Sequence, residues 1–107
     1  MEPLTLVAWI FAALLLLLLV ISFAASRGSI PINHFAGIRI PTLKRSEAAW
    51  RAGHRAAILP TTLALGLSIV FSLLGLGDSM AYWGSIIIFV CAVIWIFIAA
   101  SRAARAH

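Results

Sequence analysis

The residues able to do chemistry are gathered in one interval. Asn33 to Arg55, NHFAGIRIPTLKRSEAAWRAGHR, holds five of the eight Lys/Arg residues, two of the three histidines, one of four tryptophans and one of three acids. His34, Glu47 and His54 are the residue types of a metal site or of an acid–base pair. Their spacing argues against a metal, because Glu47 and His54 stand seven apart and His34 is distant, with nothing like HExxH. No metal and no cofactor is expected. Arg39 carries a guanidinium fork that matches carboxylate and phosphate, and the N-terminus of a helix beginning at Ser46 would favour the same anion. The alternative is that Arg39 fixes its loop through backbone carbonyls or lipid phosphates. Trp50 reads first as an interfacial anchor and second as a ligand-stacking platform.

These side chains need elements to hold them. Pro31 and Pro41 bracket Ile32 to Ile40, and a proline keeps the residue before it out of the helical region, so Ile30 and Ile40 are expected to be extended. Gly37 suits positive φ or a close backbone approach. Ile38-Arg39-Ile40 alternates apolar, basic, apolar, the period of an extended segment with Arg39 on the opposite face from its neighbours. Ser46 and Glu47 supply an N-cap and a first-turn acid. On the helix that follows, Glu47, Trp50, Arg51 and His54 share a face. This short helix is expected to lie along the membrane surface until the chain turns inward near Pro60. The picture is one cluster of Arg39, Trp50 and His54, with Glu47 paired to Arg51 or to Arg39, and Arg45 contributing little.

The remainder of the chain is hydrocarbon. With 64% hydrophobic residues, 10% charged and a mean hydropathy of +1.11, its 107 residues cannot supply the polar shell of a soluble domain. Stretches of about 20 apolar residues cross a core of about 30 Å, and three fit, at about 4–25, 56–76 and 82–100. Met1-Glu2-Pro3 lacks the basic start of a signal peptide, so the first run is read as a retained helix. Ala64, Ser68 and Ser72 repeat every fourth residue on the second run, a face that permits close helix packing. Gly75 to Ser79 is a tight turn, and Tyr82-Trp83 enters the third run as an interfacial aromatic pair. Cys91 lies in an apolar run as inert filling, with no second cysteine to pair.

Charge sets the orientation. Loop 27–55 carries Arg27, Arg39, Lys44, Arg45, Arg51 and Arg55, and the tail carries Arg102 and Arg105, which is all eight basic residues on one side of a three-span chain. The positive-inside rule puts loop and tail in the cytoplasm and the N-terminus outside. The formal charge of +5 is thereby a topology signal, and no direct nucleic-acid partner is expected. The fold class is all-α integral membrane: one domain over 1–107, three transmembrane helices, and a cytoplasmic motif loop 27–55 containing a short interfacial helix.

Asn33, the triplet Gly37-Ile38-Arg39, Ser46-Glu47 and above all Trp50-Arg51-Ala52-Gly53-His54-Arg55 resemble the SdpI family of small bacterial membrane proteins, in its short, three-span form. Ile40 and Leu43 stand where that family usually has threonine, with Thr42 adjacent. The resemblance implies a plasma-membrane protein that protects its cell against a membrane-active peptide toxin, or that holds a cytoplasmic regulator at the membrane in a signalling role. It also implies a ligand- or partner-binding set of Asn33, Gly37, Arg39, Glu47, Trp50 and His54.

Two functional classes follow. The first is a non-enzymatic membrane protein, acting in immunity or sensing, or as an accessory subunit of a homo-oligomer or larger membrane complex, with lipids as its constant partners. The second is an enzyme at the cytoplasmic interface acting on an anionic lipid or peptide, with His54 as base, Glu47 as its partner and Arg39 on the substrate. Membrane enzymes and transporters bury ionisable groups within their spans, and none of the three apolar runs has one. The first class is preferred.

Overall fold

A computed structural model describes residues 3–33 and 37–107. His34, invoked above for metal chemistry, and Met1 and Glu2 of the leader lie outside these residues. The described chain is helical, with helix α1 at Pro3–Ser26, a single turn α2 at Pro41–Lys44, α3 at Glu47–Leu74, a 3₁₀ turn at Ser79–Ala81 and α4 at Tyr82–Arg105. Three of these, α1, α3 and the 3₁₀ turn with α4, are long and apolar enough to cross a membrane. The molecule measures 46 × 21 × 18 Å, and its long axis matches a bilayer of about 40–45 Å with its headgroups.

Helix α3 is the middle of the bundle. It packs along both α1 and α4, whereas α1 and α4 touch each other sparsely. The chain reverses before and after α3, so α1 and α4 run parallel and end together beside the loop. Phe11 of α1 stacks on Phe89 of α4, with ring centroids 4.1 Å apart, toward the opposite end. Helix α1 buries little beyond Ala8, Ala12, Leu15, Ser22 and Ala25, while Leu14, Leu16 and Leu17 stay exposed, which is the distribution expected of a helix bathed in lipid.

The small-residue face of α3 meets α4. Ala64, Ser68 and Ser72 are buried, Ser72 Oγ lies 3.1 Å from Ser85 Oγ, and the Ser85 hydroxyl donates to the Ser68 carbonyl at 3.2 Å. Small side chains let the two backbones approach closely enough for a hydroxyl on one helix to reach a carbonyl of the other. Tyr82 is buried with its ring against Gly75, so of the aromatic pair Trp83 alone is well exposed.

Two helix boundaries differ from expectation. The helix capped by Ser46 does not end near Pro60: α3 runs unbroken through it, and the surface helix and second span are one element. Proline forfeits one backbone hydrogen bond in a helix, but breaking the helix beside lipid would strand several more. A helix of 28 residues is about 42 Å long. Its apolar part, Ala56 to Leu74, accounts for about 28 Å and suffices for the hydrocarbon core. Glu47 to Arg55 precede that part on the same helix and do not form a separate element. Likewise α4 continues through Arg102 and Arg105, so these are the last turn of a helix and not a loose tail.

The Ser68 environment yields a prediction. Ser68 Oγ has no hydrogen-bond partner, so Ser68→Ala should leave the detergent melting temperature nearly unchanged. Ser68→Leu must wedge α3 from α4, at a cost on the order of 1–3 kcal/mol, and should lower it clearly. Equal melting of the two variants would mean that this face does not bear on α4.

Candidate functional site

The loop between α1 and α3 is irregular backbone at the edge of a membrane, and its polar groups need partners. The first two turns of α3 supply them. Ser46 caps the helix, its hydroxyl accepting from the Ala49 N–H at 3.0 Å. The Trp50 indole N–H donates to the Ile30 carbonyl at 2.8 Å. His54 Nε2 accepts from the Ile38 N–H at 2.8 Å, a buried bond. Glu47 Oε1 accepts from the Ile32 N–H at 3.4 Å. Three side chains on one helical face thus hold three points of the loop.

Trp50 and His54 are both fully buried, with their rings 4.3 Å apart and tilted by 55°. Nε2 of His54 is an acceptor, so the proton sits on Nδ1, 2.8 Å from the Trp50 carbonyl to which it donates. That assignment follows from the hydrogen-bond network. Burial lowers the His54 imidazole below its usual value of 6.5, the Trp50 carbonyl bond working in the opposite direction. The Trp50 ring is therefore neither a belt residue facing lipid nor an open stacking platform. It is the clamp of the loop.

Glycines make the clamp close. Gly37 has φ +101°, and a Cβ there would lie 2.8 Å from His54 Nε2 and from the Trp50 ring. Gly53, on the helix itself, lies against the Leu43 side chain, which α2 delivers fully buried into the same core. Ile38 is buried, and Arg39 beside it is exposed, as their alternation implies. Asn33 turns back on its own segment, its amide donating to the Pro31 carbonyl at 2.7 Å.

Two arginines join the loop end to the other helices. Arg45 Nη2 donates to the Ala104 carbonyl at 2.8 Å, and Arg55 Nη2 reaches the Ser26 carbonyl at 3.4 Å. These carbonyls belong to the last turns of α4 and α1, where the negative end of the helix dipole favours a cation. Arg27 lies over the Phe23 ring, 5.0 Å from its centroid.

Of the residues singled out in the sequence, the structure brings Gly37, Trp50 and His54 into direct contact. Glu47 joins them through the loop backbone instead of the arginine pairing expected. Arg39 stands at the margin, one residue from the buried Ile38. Arg45, expected to contribute little, spans from the loop to α4. The pairing of Gly53 with Leu43 was also missed, although a glycine inside WRAGHR is a signal for close approach. Among the described residues, no three His, Cys, Asp or Glu side chains gather as a metal-binding group.

Three apolar helices with a folded loop clamped to the middle one define a small multi-pass membrane protein. The chain belongs to the SdpI/YfhL protein family, which it matches over residues 29–101. That interval takes in the clamped loop, α3 and most of α4. No curated protein and no solved structure matches the chain.

The His54 contact predicts a pH dependence. The folded state holds the imidazole neutral and the undocked state titrates near 6.5, so the undocked loop binds more protons as the pH falls. Loop docking should be strongest above the usual histidine value and weaken as the pH drops through it. Limited proteolysis of the loop in detergent, followed from pH 8 to pH 5, should accelerate toward acid. Gly37→Ala, strained in backbone and crowded against Trp50 and His54, should give fast cleavage across the whole range. An unchanged rate for Gly37→Ala would contradict the docked geometry.

Proposed function

We propose that the chain is a non-enzymatic membrane protein that acts in immunity or sensing toward a membrane-active peptide, with the clamped loop as its recognition surface. The observation that carries this reading is the engagement of both His54 nitrogens with the backbone, inside a fully buried contact. A general base needs a free lone pair within reach of substrate, and His54 uses its lone pair on Ile38. The same side chains give the loop a fixed shape, which is what a binding surface requires. Membership of the SdpI/YfhL family agrees with the reading. A cytoplasmic regulator recruited to this loop, or a larger membrane complex with this chain as accessory subunit, would use the same surface.

The orientation belongs to the proposal. All eight basic residues flank the loop end of the bundle, so the positive-inside rule turns that end to the cytoplasm of the plasma membrane and the turn at 75–78 to the outside. In a Cys91→Ala background, a cysteine at Ser79 should react with an impermeant thiol reagent on intact cells, and one at Ala106 only after lysis. The reverse pattern would remove the loop from the cytoplasm.

For function, Arg39→Ala and His54→Ala should each abolish protection against the peptide, or capture of the regulator, while expression and insertion persist. His54→Ala also removes the acceptor of the buried Ile38 N–H and so loosens the loop. Lys44→Ala, at an exposed position of α2, serves as the neutral control in place of Arg45, whose guanidinium holds α4. Full activity of Arg39→Ala, or equal damage from Lys44→Ala, would reduce the loop to a generic basic anchor.

A further inference from the structure

Because α1 and α4 lie on either flank of α3 and touch sparsely, a cleft opens between them at the loop end. Its volume is about 360 Å³, with Leu18 of α1 facing Val93, Ile96 and Phe97 of α4, and the loop stretch from Gly37 to Ile40 closing its top. Phe97 is shared with a second hollow of about 440 Å³ that Arg102 and Arg105 line. Arg39 is the charged residue in an otherwise apolar lining, and Arg102 and Arg105 belong to the neighbouring hollow.

We propose that this cleft binds one anionic phospholipid, an acyl chain lying between α1 and α4 and the phosphate meeting Arg39 at the rim. The volume falls at the low end of small-molecule sites, about 300–1,000 Å³. An acyl chain is thin and flexible and carries no polar group, so it can follow an irregular apolar slot without stranding a hydrogen-bonding group. Leu18 and Val93 are half-buried and Phe97 is exposed, which leaves the slot open sideways to the bilayer from which a lipid would enter. The rim chemistry selects the headgroup. A guanidinium carries five N–H donors, so Arg39 can keep a contact within the protein and still present charge and a donor to a phosphate, and the choline of a zwitterionic lipid would meet the same positive charge unfavourably. His54 bears on the site indirectly. By holding the Ile38 N–H it fixes the segment that carries Arg39, which makes it a positioning residue for the cleft.

The test is native mass spectrometry of the full chain in detergent, with phosphatidylglycerol and phosphatidylcholine of identical acyl chains at equal concentration. One retained lipid is expected, with phosphatidylglycerol favoured by about fivefold, the factor equivalent to one well-placed basic residue at a membrane surface. Arg39→Ala should bring the ratio close to one. Val93→Phe, which fills the cleft, should lower retention of both lipids. Arg27→Ala removes a cation that stacks on Phe23 and does not line the cleft, and should leave the ratio as it was. Glycerol 3-phosphate in excess should not displace the lipid, since the chain supplies part of the hold.

Equal retention of the two lipids by the parent would overturn the proposal. So would an Arg27→Ala loss as large as that of Arg39→Ala, which would mean diffuse attraction by the basic rim. Displacement by glycerol 3-phosphate would mean a free-anion site and no lipid site. Should Val93→Phe fail to fold, phosphatidylglycerol with short chains provides the same readout on the parent protein, and undiminished retention would count against the cleft. None of these outcomes depends on protection against a peptide, so the lipid site and the function proposed above can fail separately.

Discussion

The hydrogen bond from the Ile38 N–H to His54 Nε2 is the contact on which the loop depends. Near lipid, backbone outside a helix has few waters to fall back on, and each buried unpaired group costs several kcal/mol. The loop's solution is to borrow side chains from one helix. Glu47, Trp50 and His54, at spacings of three and four, meet backbone groups of Ile32, Ile30 and Ile38 in turn. Of the three, the histidine bond is the buried one, and its donor has no ready substitute. Removing its acceptor strands a polar group in the driest part of the loop.

A second constraint comes from the order of the helices. An odd number of spans with α3 in the centre forces α1 and α4 to run parallel, so two helix C-termini end side by side. Their carbonyls and dipoles put partial negative charge at the same end of the molecule. Arg55 answers the first and Arg45 the second. The basic residues that a topology rule counts as a bulk tendency therefore also have individual structural duties. Charge at this end thus also ties the loop end to the two outer helices.

Much of the fold was legible in the sequence because lipid leaves few alternatives. Apolar runs of sufficient length become helices, and Ser46, Gly37, Ile40 and the Ala64-Ser68-Ser72 face each behaved as local chemistry dictates. What was not legible depended on pairs distant in sequence. Pro60 was read as the first turn of a new helix or as a bend because its local effect is well known, while the cost of breaking α3 beside lipid is a property of its surroundings. Trp50 was read as a belt residue since tryptophan prefers interfaces, and only the nearness of the Ile30 carbonyl turns it inward. Arg45 gave no sign at all, because its partner, the Ala104 carbonyl, is fifty-nine residues away.

The clamp and the cleft are mechanically one feature. Ile38 is pinned twice, by its N–H on His54 and by its buried side chain. Extended backbone then turns the next side chain to the opposite face, so pinning Ile38 inward aims Arg39 outward. Gly37 lets the chain make this approach with φ +101°, and its lack of a Cβ leaves room for the two rings. An exposed charge on a loose loop sweeps many positions and binds weakly, because fixing it costs conformational entropy at the moment of binding. Here that entropy is lost when the protein folds. The buried tryptophan and histidine thus act on whatever Arg39 meets without touching it, and the most prominent motif residues of the chain are those least accessible to a ligand.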